Sequence, residues 1–516
     1  MAPDAAVEAA PAAFNPVQFT RQASRTFVRT RTRFRDVFID VYTAVLAVGT
    51  IGALATGLVL ALRGQVAQAW SAGPAGRTLV VPPSFSLPDG TAAAVLVFAA
   101  LMSVTVMARK LGPVSVSAAE GYWWLGLPLD RRPMVTGRLV RRLVLVCAGA
   151  AVLYLPFGLV TDLETGVQGQ LPAAGVFGLA AVCAVLLAAV RQARPVARAS
   201  TDRRGGLPGV LLIALLSVIP AGVADGSWAL GLGALSVTGA LWLVVSARLE
   251  RIPARELIRG GAVSGHADAA VYLLDPNEVG RALSADPGGA VSSRAGRWYA
   301  RGARTPFGAL LRADTAAFLR TRGLWTRPMA LLLLCVALLL TGGAQPPLVQ
   351  LALIAGTVCA AVPALGTLAR RTAITPGLDM LLPLSPGIVR LSRMALPAAA
   401  LALWSAVFCA VLVLLGAGSP VLIALGALAG AGFGASAVRG AYRVQPDWTV
   451  PPADTVFGPV PTAQTGAMIR GLDTTLLTLV PLLLGLFLGY VPGVLLVVQA
   501  GFSAVCVLVV MYSHPK

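Results

Sequence analysis

The chain has 516 residues, 57% of them hydrophobic and 12% charged, with a mean hydropathy of +0.78. A soluble domain carries about 25% charged residues, so this composition excludes a soluble globular protein and implies a chain that buries its surface in lipid. The net charge of +19 comes from arginines scattered between apolar runs rather than gathered in one basic domain; that pattern fits an anionic membrane leaflet and argues against nucleic acid as a partner.

Cysteine and histidine offer little chemistry. Cys147, Cys183, Cys335, Cys359, Cys409 and Cys506 fall inside apolar runs without CxxC spacing, as small hydrophobes do. His266 is read as part of a polar loop and His514 stands near the C-terminus, so neither a disulfide, a metal site nor a cofactor is expected. The first forty residues lack an early apolar core, and no signal peptide is expected.

In chain order, residues 1–16 are Ala- and Pro-rich and are expected to be disordered. Over 17–38, at 100° per residue, Phe19, Ala23, Phe27, Phe34, Val37 and Phe38 share one sector, while Arg21, Arg25, Arg29, Arg31, Arg33 and Arg35 fill the rest. This predicts an amphipathic interfacial helix. About 20 apolar residues cross the hydrocarbon, and spans are predicted at 41–62, 91–108, 143–161, 171–190, 207–224, 228–247, 328–342, 348–368, 394–415, 420–438, 474–489 and 492–512. With both termini in the cytoplasm, every Lys and Arg except Arg63 and Arg77 lies inside, as the positive-inside rule requires. Membrane lipids are the first partner implied.

The halves share a layout. Phe27-Val28-Arg29-Thr30-Arg31 before the first span returns as Phe318-Leu319-Arg320-Thr321-Arg322 before the seventh, and Leu127-Pro128-Leu129 with Arg138 returns as Leu382-Pro383-Leu384 with Arg393. The expected fold is therefore all-α, a polytopic membrane protein of about 12 transmembrane helices in two parallel-repeated six-helix halves. Its parts are an N-terminal segment 1–40, a first half 41–247, a cytoplasmic linker and second pre-helix 248–327, and a second half 328–516. Within the linker, RLERIPARELIRGG is read as a short amphipathic helix and 261–305 as flexible.

No enzyme is expected. A Walker A motif needs Lys followed by Ser or Thr, whereas Lys110 precedes Leu and the only other lysine is Lys516. The predicted spans hold no Asp, Glu, Lys or Arg away from their ends, where an ion-coupled carrier keeps one. Asp162 and Glu164 read as a solvated outer loop.

What carries a function is the loop from 109 to 142. Glu120, Leu127-Pro128-Leu129, Arg131, Arg132 and Gly137-Arg138, set behind a basic pre-helix and two spans, resemble the permease subunits of ABC-2-type exporters. The resemblance implies a fused, duplicated permease whose loop contacts a separate ABC ATP-binding subunit. It implies docking through Glu120, Leu127, Pro128, Arg131, Arg132 and Arg138, with a hydrophobic or amphipathic substrate. In the second loop Thr375 replaces the acidic residue and Pro386-Gly387 the arginine pair, so docking there is not implied. Trp123 and Trp124 are read as interfacial anchors. Two alternatives stand beside this one. GLPLDRRPMVTGRL resembles the loop between the second and third spans of major facilitator carriers, with its glycine displaced and its loop longer. A membrane scaffold that transports nothing is the other.

Overall fold

The long apolar runs fold as helices, because in lipid a helix alone satisfies every backbone polar group within one segment. The structure, a computed structural model, describes residues 91–127, 130–161, 167–193, 207–272, 302–320, 324–340, 347–373, 381–442, 453–455, 458–460 and 470–512, with isolated positions elsewhere. Residues 1–16, most of 17–38, of the predicted span 41–62 and of 63–90, Pro128, Leu129, Asp162, Glu164, 194–206, most of 273–301, Thr375 and His514 lie outside the described residues.

The helices are α1 Thr91–Leu111, α2 Ala118–Trp123, α3 Arg132–Thr161, α4 Val167–Gln192, α5 Leu207–Ala224, α6 Trp228–Ser246, α7 Ala254–Tyr272, α8 Pro306–Arg320, α9 Thr326–Leu339, α10 Pro347–Leu365, α11 Thr367–Thr372, α12 Pro386–Leu414, α13 Val421–Ala441, α14 Leu472–Leu488 and α15 Gly493–Tyr512. A 3-10 turn at Leu249–Arg251 precedes α7, and an antiparallel hairpin pairs β1 Ala453–Thr455 with β2 Gly458–Val460. Among the described residues α1, α3, α4, α6, α10, α12, α13 and α15 are the eight helices long and apolar enough to cross a membrane, and α5, α9 and α14 are shorter apolar helices. This is a polytopic helical membrane protein. Every predicted span that falls on described residues lies on one of these eleven helices. Prolines inside α3, α4, α5, α10, α12 and α14 are tolerated as they are in lipid-embedded helices.

Two expectations need correction. Residues 261–272 are not linker: α7 runs from Ala254 to Tyr272, and His266 stands on it rather than in a loop. The long helices also start earlier than the apolar runs, α3 at Arg132 and α12 at Pro386; Pro133 and Pro386 stand in those first turns, where a proline's missing N–H is not needed.

The chain divides into two units, Met1–Gln68 with Val97–Gly265, and Ala69–Leu96 with His266–Lys516. In the first, α4 is the central helix, packed on α3, α5 and α6, and Leu101, Tyr154, Phe177, Ile213 and Leu216 form its core. Tyr154 stacks on Phe177 with ring centroids 5.1 Å apart.

In the second unit α13 is central, packed on α10, α12, α14 and α15. Its glycines set the closest crossing: a Cβ at Gly430 would stand 2.1 Å from the Ala402 Cα, and one at Gly434 2.4 Å from the Ala398 Cα. Lipid tails are as apolar as leucine, so helices there associate by close backbone approach and by hydrogen bonds. Both are present. Trp404 and Phe408 stack beneath Pro328, whose carbonyl accepts from the Trp404 indole at 3.0 Å. Farther along, the Gln499 amide donates to the Thr478 carbonyl at 3.2 Å and the Ser503 hydroxyl at 3.3 Å, and Ser503 donates to the Leu428 carbonyl at 2.9 Å. This buried polar seam ties α15 to α14 and to α13.

Candidate partner-docking hinge

In the first unit the chain leaves α1 through Gly112, whose φ of +71° suits glycine. A Cβ there would also stand 2.8 Å from the Gly260 Cα on α7. The next residues, 113–116, are buried, so their backbone groups need partners. Gln192, at the end of α4, accepts from the Val114 amide at 3.1 Å and donates to its carbonyl at 2.9 Å. Arg142 donates to the Gly112 carbonyl at 2.9 Å, to that of Pro113 at 3.4 Å, and to the Ser264 hydroxyl at 3.1 Å. The Val116 amide donates to the Leu257 carbonyl at 3.3 Å, and the missing side chain of Gly261 admits the Val116 carbonyl, which a Cβ would meet at 1.7 Å. One hydrophobic cluster closes the floor: Val114, Val116, Leu125, Val135, Leu139, Leu249, Ile252 and Leu257.

The short helix α2 stands on this floor. Ser117 accepts from the Glu120 amide at 3.3 Å while the Glu120 carboxylate accepts from the Ser117 amide at 3.3 Å, a reciprocal capping box. Gly121 sits over the Ile258 side chain and Leu125 points into the cluster. Tyr122 and Trp123, packed edge to face with each other, are left 79% and 67% exposed. Trp124 is instead half-buried, with the Phe19 ring 6.3 Å away.

The residues of the predicted docking set separate at this point. Glu120 and Arg138 come together as an ion pair at 2.5 Å, with side chains 20% and 39% exposed, and Arg138 also donates to Ser117 at 3.4 Å. Arg131 turns back to donate to the Leu125 carbonyl at 3.4 Å. Arg132 projects outward, 3.9 Å from Glu250, after Asp130 has accepted from its amide at 2.9 Å. Leu127 is exposed, and Pro128 lies outside the described residues.

The second loop is built differently. The hydroxyl of Ser392 donates to Asp314 on α8 at 2.9 Å, and Arg393 makes an ion pair with the same carboxylate. Their ion-pairing side chains are only 2% exposed for Asp314 and 10% for Arg393. Asp379 adds a second carboxylate 3.4 Å from Arg393 and accepts from the Tyr442 phenol at 3.4 Å. Arg390 is buried and donates to the Val510 carbonyl at 3.2 Å. Burial pushes the Asp314 carboxyl up from its ordinary value, and the Arg393 guanidinium and the Ser392 hydroxyl pull it back in part.

Several of these participants were not singled out from sequence. The capping box was legible as Ser117-x-x-Glu120; Gln192, Arg142, Gly260-Gly261 and Asp314 gave no local signal, because their partners lie far off in the chain. Among the described residues no group of His, Cys, Asp and Glu is placed to hold a metal ion. Compared with known proteins, residues 89–451 match one family model, described as a family of unknown function (DUF6297). No curated protein and no solved structure matches the chain.

Proposed function

The chain belongs to that family of unknown function, whose model covers both Leu-Pro-Leu loops, and from that premise we propose that it is the permease of an ABC-2-type exporter, powered by a separate ATP-binding subunit. The observation that carries this reading is the first hinge. It is a loop between two helices able to cross a membrane, held rigid from below, with Tyr122, Trp123, Leu127 and Arg132 turned outward. A subunit that hydrolyses ATP has to push on something stiff, and a fixed platform at the ends of α1 and α3 passes the push to the helices. The docking set remains Glu120, Leu127, Pro128, Arg131, Arg132 and Arg138, with Glu120 and Arg138 holding the platform's shape and Arg132 and Leu127 touching the partner.

In this proposal the chain has twelve spans, the first at 41–62, arranged as two parallel six-helix halves in the plasma membrane with both termini cytoplasmic. Its support is that the central helix of each unit, α4 and α13, is the fourth predicted span of its half. This chain is no enzyme, and its substrate is hydrophobic or amphipathic.

Two experiments test it. Purified from its own membrane in mild detergent, the chain should bring an ATPase with it, and Arg131→Glu with Arg132→Glu should reduce that recovery at least tenfold with normal membrane levels. Losing charged partners at an interface costs about 2–5 kcal/mol, and the remaining basic residues beside the spans preserve insertion. Recovery unchanged by the double reversal would end the docking reading. For orientation, a membrane-impermeant thiol reagent should label Asp225→Cys from outside and Asp130→Cys only after the membrane is opened; the opposite result would invert the topology.

A further inference from the structure

The first part of helix α7 falls in the segment read from sequence as a short amphipathic helix, and it is packed into the hinge. Gly260 and Gly261 let its backbone lie directly on residues 111–116, Leu257 sits in the shared core, and Ile258 packs on Gly121. Having touched Gly121, Ile258 still leaves 42% of itself exposed, beside the neighbouring Tyr122. One turn earlier on the same face Arg255 is exposed too.

We propose that α7 forms the second half of the docking surface: a platform of Tyr122, Trp123 and Leu127 from the hinge and Ile258 from α7, rimmed by Arg132 and Arg255, which binds a soluble protein subunit. The inference rests on the docking reading but not on the partner's being an ATPase. The rim decides between protein and bilayer. Glu120, Asp130, Glu250 and Glu256 stand among the arginines. Binding to an anionic leaflet is driven by uninterrupted basic clusters, and four carboxylates work against it. An apolar, aromatic centre within a rim of mixed charge is instead the anatomy of a protein interface. The fixed floor adds to this, since a preorganised surface spends less of its binding free energy on ordering.

The test places a photoreactive benzoylphenylalanine at Tyr122 and, separately, at Ile258 of the full-length chain in its native membrane, followed by irradiation and mass-spectrometric identification of the adducts. Both positions should capture the same protein, and adding Arg132→Glu and Arg255→Glu should weaken both adducts at least tenfold. If that protein is an ATP-binding subunit, the platform and the exporter reading stand together. If it is a protein without ATPase activity, the platform stands and the exporter reading falls. An ATP-binding subunit captured from Tyr122 but not from Ile258 removes α7 from the interface and leaves the exporter reading intact. Lipid adducts alone, or none, at both positions overturn the platform. Should the Ile258 variant fail to accumulate, the probe at Arg255, on the same face, decides in its place.

Discussion

Arg138 and Arg393 occupy matching places after the two Leu-Pro-Leu turns, and each is held by a carboxylate, yet the two pairs do different work. Glu120 comes from the loop's own capped helix and leaves Arg138 more than a third exposed; Asp314 comes from the separate helix α8 and encloses Arg393 almost completely. Water screens the first pair, so it holds its loop lightly and leaves the surface open to another molecule. In the second, neither charge has solvent to fall back on, and removing Arg393 strands Asp314, whereas Arg393 would keep Asp379. Similar residues at similar places thus give an open platform in one unit and a closed joint in the other, with burial deciding which.

The widest gap between the two should appear when each pair is broken. Arg393→Ala leaves the Asp314 carboxylate buried without its main counter-charge, a loss of about 3–5 kcal/mol, visible as early aggregation when the detergent-solubilised protein is heated. The loss should deepen with rising pH. Asp314 already has a raised pKa, and without Arg393 it rises further; the protonated carboxyl is tolerated, so stability is retained at low pH and lost as pH climbs through that pKa. Equal losses at pH 5 and pH 8 would mean that Asp314 is not the group left stranded. Next in size is a packing contrast. Gly430→Val should cost about 1–3 kcal/mol or more by forcing α12 and α13 apart, whereas Gly137→Ala, where a Cβ meets nothing within 4 Å, should be neutral or stabilise α3 by up to about 1 kcal/mol. The smallest effect belongs to Glu120→Ala, below about 1 kcal/mol. A heat-stability loss there as large as for Arg393→Ala would erase the difference between the two loops.

What could be read from sequence follows from how local each interaction is. The spans were legible because crossing a bilayer takes a contiguous apolar run, and the helices fall where those runs are. The hinge was legible as a place, because its arginines and Leu-Pro-Leu turn are close in the chain. Its construction was not. Gln192 grips Val114 across 78 positions and Arg393 meets Asp314 across 79, and nothing in either segment announces the other. The stretch after Gly261 was misread for a related reason: its Gly, Ala and Ser look like linker, and the Arg142 that meets Ser264 stands 122 positions away. Glu120 and Arg138 stood in the docking set as separate contacts, and spacing alone did not reveal that the two pair with each other.

The polar seam in the second unit has a consequence for how the chain is made. Thr478 on α14 and Gln499 and Ser503 on α15 are buried, and Ser503 donates to the Leu428 carbonyl of α13. A ribosome delivers α13 before α15; within the α14–α15 hairpin Gln499 already bonds Thr478 and Ser503, and Thr478 bonds the Thr474 carbonyl of its own helix, so what the earlier helix supplies is the Leu428 carbonyl that takes the Ser503 hydroxyl. That one bond of the seam is therefore completed only with α13 in place. A nascent chain released before Gly493 leaves Thr478 without the Gln499 that bonds its carbonyl. The α14–α15 hairpin thus carries most of its polar groups already paired into the bilayer and leaves the Ser503 hydroxyl to be matched by α13.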